Sequence, residues 1–153
     1  MKQLTQKLLK TQPNIGFGIS RLTLGLIMLP HGAQKFLGLF GGYGYSATMD
    51  SLTDQMGLPS IVAFSIVMIE FFGSISLILG FLSRFWALSI AGMFVGIIYT
   101  TQWQHGFFMN WFGNQAGEGY EYSLLIIGLA LATLVNGSGN WSLDHLISNK
   151  TVA

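Results

Sequence analysis

Four apolar stretches, each close to the length of a membrane-spanning helix, constrain the fold of this chain more than any other feature. A bilayer core about 30 Å thick is crossed by about 20 helical residues. The predicted spans are residues 15–40, 59–80, 85–101 and 120–136. The composition, 51% hydrophobic and 8% charged, is not that of a soluble globular protein. The sequence predicts an all-α, polytopic integral membrane four-helix bundle, in which residues 1–153 form a single transmembrane domain.

The basic residues indicate the orientation of these spans. Lys2, Lys7, Lys10, Arg84 and Lys150 fall on one side, whereas the two long loops on the other side carry acids and no lysine or arginine. Loops rich in lysine and arginine stay in the cytoplasm. Both termini are therefore predicted to be cytoplasmic.

The first span carries polar groups that are costly in lipid, namely Arg21, His31, Gln34 and Lys35. Arg21 and Lys35 lie on nearly the same side of a 3.6-residue helix. That side also carries three glycines, Gly18, Gly25 and Gly32. Because small residues allow helices to approach closely, this face is predicted to point into the bundle. Pro30 is expected to kink or loosen the helix before His31.

The second span contains one acid, Glu70, about a dozen residues beyond Pro59. At a rise of about 1.5 Å per residue, this places Glu70 near mid-membrane and within reach of Arg21. The simplest hypothesis is an Arg21–Glu70 ion pair. It has two interpretations: an architectural pair that fixes helix register, or a proton relay in which Glu70 exchanges protons with a ligand.

A second polar group is predicted at the outer end of the bundle, where the first span, the segment after the third span and the start of the fourth span reach one depth. An imidazole, an ammonium and a carboxylate at a wet–dry boundary suit the polar head of a lipophilic molecule such as a quinone. In the structural alternative Lys35 snorkels to the interface, Glu121 neutralises it, and His31 donates to the carbonyl freed by Pro30. The predicted ligand-binding residues are His31, Gln34, Lys35, His105 and Glu121.

Several functional classes are disfavoured. The chain has no cysteine, so it contains no disulfide, iron–sulfur cluster or thiol redox centre of its own. Two isolated histidines are a weak signal for haem, and no metal site is predicted. A net charge of +1 without a basic cluster argues against nucleic-acid binding. The pairs Gly92/Gly96 and Gly128/Ala132 are predicted to pack helices closely, or to pack subunits of a homo-oligomer.

Four segments together resemble the DoxX family over nearly the whole chain. They are HGAQKFLGLFGG from His31, IEFFGSISLILGFLSR from Ile69, GEGYEYSLL from Gly117 and GSGNWSLDHLI from Gly137. The resemblance implies a four-helix bundle in the bacterial inner membrane, distantly similar in layout to vitamin K epoxide reductase, and a link to redox chemistry. It picks out Arg21, His31, Gln34, Lys35, Glu70 and Glu121, with Ser142, Leu143 and Asp144 in the tail.

Two functions remain open on this basis. The first is a quinone-interacting inner-membrane subunit of an oxidoreductase system, in which electrons come from a bound cofactor or a partner oxidoreductase subunit because the sequence shows no electron carrier. The alternative is a non-catalytic membrane protein that assists assembly, acts as a scaffold or binds a small lipophilic ligand.

Overall fold

The computed structural model describes Leu9 and residues 11–150, apart from the side chains of Asn149 and Lys150. These residues form helices and no β-strand, which confirms the all-α prediction. We number six helices: α1 (Ile15–Leu37), α2 (Gly44–Asp50, followed by a π-helical turn at Ser51–Gln55), α3 (Ser60–Leu79), α4 (Ser83–His105), α5 (Glu121–Asn136) and α6 (Leu143–Lys150).

Two of the helices in the described part of the chain, α3 and α4, are both long and apolar enough to cross a membrane. Helix α5 is apolar but shorter. The three N-terminal lysines that contribute to the predicted orientation lie outside the described residues.

The ends of α1 follow from local sequence. The side chain of Asn14 accepts hydrogen bonds from the amides of Gly16, at 2.8 Å, and Phe17, at 3.4 Å, which satisfies two amide groups that the first turn leaves free. Gly38 ends the helix with a φ of 72°, a left-handed conformation that glycine adopts without strain. The helix is unbroken through Pro30.

Helices α1 and α3 pack against each other at Gly25 and Gly32, on the face of α1 that carries three glycines. Gly18, Gly25 and Gly32 are all buried, as the sequence predicted. A methyl group added at Gly25 would lie 3.0 Å from the carbonyl oxygen of Ser74. At Gly32 it would lie 2.5 Å from the carbonyl group of Glu70. The two backbones therefore approach closely enough that only glycine fits at Gly32.

The hydrophobic core lies where α4 and α5 pack on α1 and the last turns of α3. Its members are buried aliphatic residues and one phenylalanine, supplied by all four helices. They are Leu24, Met28, Leu77, Ala87, Ile90, Ala91, Phe94, Ile126 and Ala130.

Three glycines that were predicted to pack helices closely do not do so within the described chain. Gly92, Gly96 and Gly128 are exposed, and a methyl group at any of them would meet no neighbouring atom within 4 Å. The prediction was wrong for helix packing inside the chain because α4 and α5 turn other residues, such as Ala91 and Ala130, towards the core.

The tail after α5 folds back onto the connection between α3 and α4. Asp144 is almost completely buried. Its carboxylate accepts hydrogen bonds from the amides of Leu82, at 2.8 Å, and Ser83, at 3.0 Å, and from the hydroxyl of Ser138. Because Leu82 and Ser83 begin α4, Asp144 caps that helix from a distant part of the sequence.

We expect Gly32→Ala to lower the free energy of unfolding by about 1–3 kcal/mol, since the added methyl must push the α1 and α3 backbones apart. Gly128→Ala is the matched control, because it adds the same methyl group to an exposed helix position and should be neutral or slightly stabilising. Thermal unfolding in detergent measures both. Equal melting temperatures for the two variants would contradict the close contact.

We expect Asp144→Ala to lower the free energy of unfolding by about 2 kcal/mol, since it leaves buried donors without an acceptor. Asp50→Ala removes an exposed carboxylate that forms no cap hydrogen bond and should change stability little. A Ser138→Ala variant should cost less than Asp144→Ala, because it removes one donor and keeps the cap. The same thermal assay ranks the three.

Candidate functional site

An open groove between α3 and α4 is the main candidate site in the described part of the chain. Its volume is about 490 Å³, within the range of small-molecule sites. The groove is lined mainly by aliphatic side chains and is covered at one end by residues that follow α2. The lining residues are Lys35, Leu52, Met56, Leu58, Val62, Ser65, Ile66, Ile69, Glu70, Leu88, Ser89, Gly92, Met93, Gly96, Ile97, Thr100 and Thr101.

The hydroxyl groups that line the groove are already used by their own helices. Ser65, Ser89, Thr100 and Thr101 each donate to the backbone carbonyl four residues earlier, at 2.7–3.0 Å. Such back-bonding satisfies a hydroxyl donor within an apolar surface. The groove therefore offers a ligand two charged side chains, Lys35 and Glu70, and otherwise a predominantly apolar wall.

Lys35 and Glu70 form a salt bridge between the Lys35 ammonium and Oε2 of Glu70. Glu70 is 3% exposed, whereas the side chain of Lys35 is 31% exposed. A buried carboxylate is costly without a partner, and the ammonium supplies that partner. Because Lys35 is the more accessible member, it is the group that a ligand in the groove would reach first.

The backbone around Glu70 is not a regular α-helix. Residues Ile69–Gly73 form a π-helical turn in the middle of α3, and Ile98–Gln102 form another on α4. A π turn carries one extra residue and changes the direction of the side chains around it, and such turns are frequent at functional sites. Both walls of the groove thus depart from ideal geometry, one at Glu70 and the other at Thr100 and Thr101.

The predicted Arg21–Glu70 ion pair is wrong. Arg21 is completely buried, and its guanidinium donates to backbone carbonyls at the end of α3 and in the tail. The acceptors are Ser138 at 2.8 Å, Ile78 and Trp141 at 2.9 Å, Asn140 at 3.3 Å, and Leu77. A guanidinium has five N–H donors, and the carbonyl oxygens satisfy them without direct contact with a carboxylate.

The depth estimate failed because α1 and α3 are offset. Gly32, which contacts the backbone of Glu70, lies only five residues before the end of α1. Glu70 lies ten residues after the start of α3, about 15 Å along the axis, so the first turns of α3 extend beyond α1. Arg21 and Lys35 are about 20 Å apart along α1, and Glu70 lies beside Lys35.

The other predicted ligand-binding residues have separate surroundings. The Gln34 amide donates to the Phe40 carbonyl at 3.1 Å, which closes the turn after α1. Glu121 accepts from the amide of Met109 at 3.3 Å, within the loop between α4 and α5. Glu121 is thus turned towards its own loop, and Lys35 is paired with Glu70 instead.

Neither predicted histidine lines the groove. His31 is exposed and has no hydrogen-bond partner among the described residues, so the predicted bond to the carbonyl freed by Pro30 is not formed. The half-buried ring of His105 lies against Gly117, where a methyl group would collide with it. Of the predicted set, the structure brings only Lys35 and Glu70 together in one site.

Sequence reasoning missed the groove and the Lys35–Glu70 pair, although one signal for the pair was present. Gly32 and Lys35 are one turn apart on the same helix, so an acid packed on Gly32 falls within reach of Lys35. The π turns have no equivalent signal in the sequence. Among residues 11–148, no three His, Asp or Glu side chains are gathered as a metal site would require.

A double-mutant cycle tests the pair. We expect Lys35→Met to destabilise the protein by about 2 kcal/mol or more, since it leaves a buried carboxylate unpaired. Glu70→Gln should cost less, because Lys35 is partly exposed and can turn outwards. The double variant should recover much of the loss. Additive losses in thermal unfolding would show that the two side chains are not coupled.

Comparisons with known proteins identify the family of this chain. The family model DoxX matches residues 16–103. The Escherichia coli (strain K12) protein named inner membrane protein YqjF is 25% identical over 142 residues, which cover 93% of this chain and 99% of that protein. The Bacillus subtilis (strain 168) protein named putative oxidoreductase CatD is 28% identical over 133 residues, 87% of each chain. No solved structure matches. The chain belongs to the DoxX family and is a membrane protein.

Proposed function

We propose that this DoxX protein is a multi-pass protein of the bacterial inner membrane, crossed by α1, α3, α4 and α5, with both termini in the cytoplasm. The length and hydropathy of α3 and α4 support the proposal. Helix α1 buries Arg21 and pairs Lys35, so its charges are compatible with a span whose outer surface is apolar. The asymmetric distribution of lysine and arginine supports the orientation.

We propose further that the protein is a quinone-interacting subunit of an oxidoreductase system. The observation that carries this proposal is the apolar groove of about 490 Å³ with one ion pair, Lys35–Glu70, in its wall. A quinone has the matching chemistry: a flat ring, two carbonyl oxygens and a long apolar tail. The ring and the first part of the tail suit the groove, and the rest of the tail would extend into lipid.

Each member of the pair has a distinct role in this proposal. The Lys35 ammonium donates a hydrogen bond to a ring carbonyl, and Glu70 accepts one from the hydroxyl of the reduced ring. A bound quinone takes up two electrons and two protons when it is reduced. In this proposal Glu70 exchanges the proton at that oxygen, and its position in the groove wall supports the role.

The electrons must come from a partner oxidoreductase subunit or from a bound cofactor, since the chain has no cysteine and no recognisable electron-carrier motif. The same observation favours the second candidate function, in which the protein binds a small lipophilic ligand without catalysis and serves assembly or as a scaffold. The two functions share the groove and differ in whether the bound quinone changes its redox state.

Titration of the detergent-solubilised protein with decylubiquinone, followed by tryptophan fluorescence, tests quinone binding. We expect saturable binding by the wild type and about 10-fold to 100-fold weaker binding by Lys35→Met, because a hydrogen bond to a charged group contributes about 1.5–3 kcal/mol. Glu70→Gln should discriminate the oxidised from the reduced ligand less well. The Lys35→Met/Glu70→Gln double variant controls for loss of fold.

The variant His31→Ala distinguishes the groove from the polar group that the sequence predicts at the outer end of the bundle. Because His31 is exposed and lies outside the groove, its removal should leave the dissociation constant unchanged within twofold. Loss of binding would move the site to the outer end of α1. Absence of saturable binding by the wild type would refute the quinone proposal, and stoichiometric binding without reduction by membrane extracts would favour the non-catalytic function.

A further inference from the structure

Gly92 and Gly96 form an unusual part of the groove wall. They lie one turn apart on α4, both are exposed, and a methyl group on either would have no neighbouring atom within 4 Å. Gly25 and Gly32, by contrast, are needed because another backbone lies against them. A glycine within a helix costs about 0.5–1 kcal/mol relative to alanine. At Gly92 and Gly96 no contact inside the described chain accounts for that cost.

The open space beside Gly92 and Gly96 is part of the groove. Both residues line the same cavity as Lys35 and Glu70. Two glycines four residues apart expose a strip of bare backbone about 6 Å long. No atom lies within 4 Å of the place where a methyl group would be at either glycine, so the strip is open to a ligand, and its length is comparable with the width of a six-membered ring and its substituents.

We infer that Gly92 and Gly96 determine the specificity of the groove: the flat ring of the ligand lies on their backbone, with a ring oxygen directed to Lys35 and Glu70. The inference rests on the proposed function and specifies how the site takes its ligand. Side chains of ordinary size at these positions would fill the space that the ring needs. The residues are therefore selective for a flat, ring-containing lipophile against a branched or bulky one.

The same geometry assigns the route of entry. Gly92 and Gly96 are exposed on the outer surface of α4, and the neighbouring groove residues Val62 and Leu88 are exposed apolar side chains. With α3 and α4 crossing the membrane as proposed above, the groove between them would open sideways into lipid. A ligand dissolved in the bilayer reaches the ion pair through this opening without passing through water.

Filling the groove tests the inference. We expect Gly96→Leu to weaken decylubiquinone binding at least 10-fold, and Gly96→Ala to have a smaller effect, since the leucine side chain takes the place of the ring. Gly128→Leu is the matched control: it puts the same side chain on an exposed helical glycine with no neighbour within 4 Å, on α5 and outside the groove. Its dissociation constant should stay within twofold of the wild type.

A photoreactive azido-benzoquinone gives an independent readout. Mass spectrometry should locate the label on residues 88–101 of α4 or residues 62–70 of α3 in the wild type and in Gly128→Leu. The label should be lost in Gly96→Leu. Labelling confined to α5, or unchanged labelling in Gly96→Leu, would overturn the inference.

The outcomes separate the inference from the function on which it rests. If the wild type binds decylubiquinone, Lys35→Met does not, and Gly96→Leu binds normally, the inference fails and the proposed function stands. No binding by the wild type refutes both. Light scattering gives a further outcome. If Gly96→Leu binds normally but is a monomer where the wild type is a dimer, Gly92 and Gly96 form a contact between two copies of the chain, and the inference fails.

Discussion

The close approach of α1 and α3 at Gly32 is the contact on which the remaining arrangement depends. With the carbonyl group of Glu70 only 2.5 Å from where a methyl group would be, the two helices can hold only one register at this point. That register brings Lys35 beside Glu70 and, two helical turns further along α3, brings Arg21 against its last carbonyls. The contact between Gly32 and Glu70 thus sets the register in which Lys35 meets its carboxylate and Arg21 meets two of its five carbonyl acceptors.

The two charges are satisfied by different chemistry, and the difference separates structure from function. Arg21 is surrounded by backbone carbonyls that belong to the fold itself, and it is completely shielded. Lys35 is held by a single carboxylate and keeps part of its surface open to the groove. Because an ammonium has three N–H donors, Lys35 can bind a ligand while it still holds Glu70, whereas displacing Arg21 would require the end of α3 and the tail to separate.

Part of this could be predicted from the sequence because it follows from periodicity. The helical class, the positions of the main apolar helices, and the inward direction of Gly18, Gly25 and Gly32 depend on spacing within one segment. The prediction of an Arg21–Glu70 pair was wrong because it depended on the offset of α1 and α3 along their axes, which the loops alone do not determine. The prediction that Gly92 and Gly96 pack against another helix was wrong for a similar reason. A glycine pair indicates a bare helix surface, but it does not determine what covers that surface.

The bonds of Arg21 also have a consequence for how the chain is made. Three of its five acceptors belong to Ser138, Asn140 and Trp141, more than a hundred residues later in the sequence. During synthesis α1 is therefore made more than a hundred residues before the segment that supplies these carbonyls, and Arg21 is only partly hydrogen-bonded until that segment folds back onto α1. A chain that stalls before Gly137 lacks three of the five acceptors of Arg21 and carries an incompletely bonded charge, which is costly in lipid.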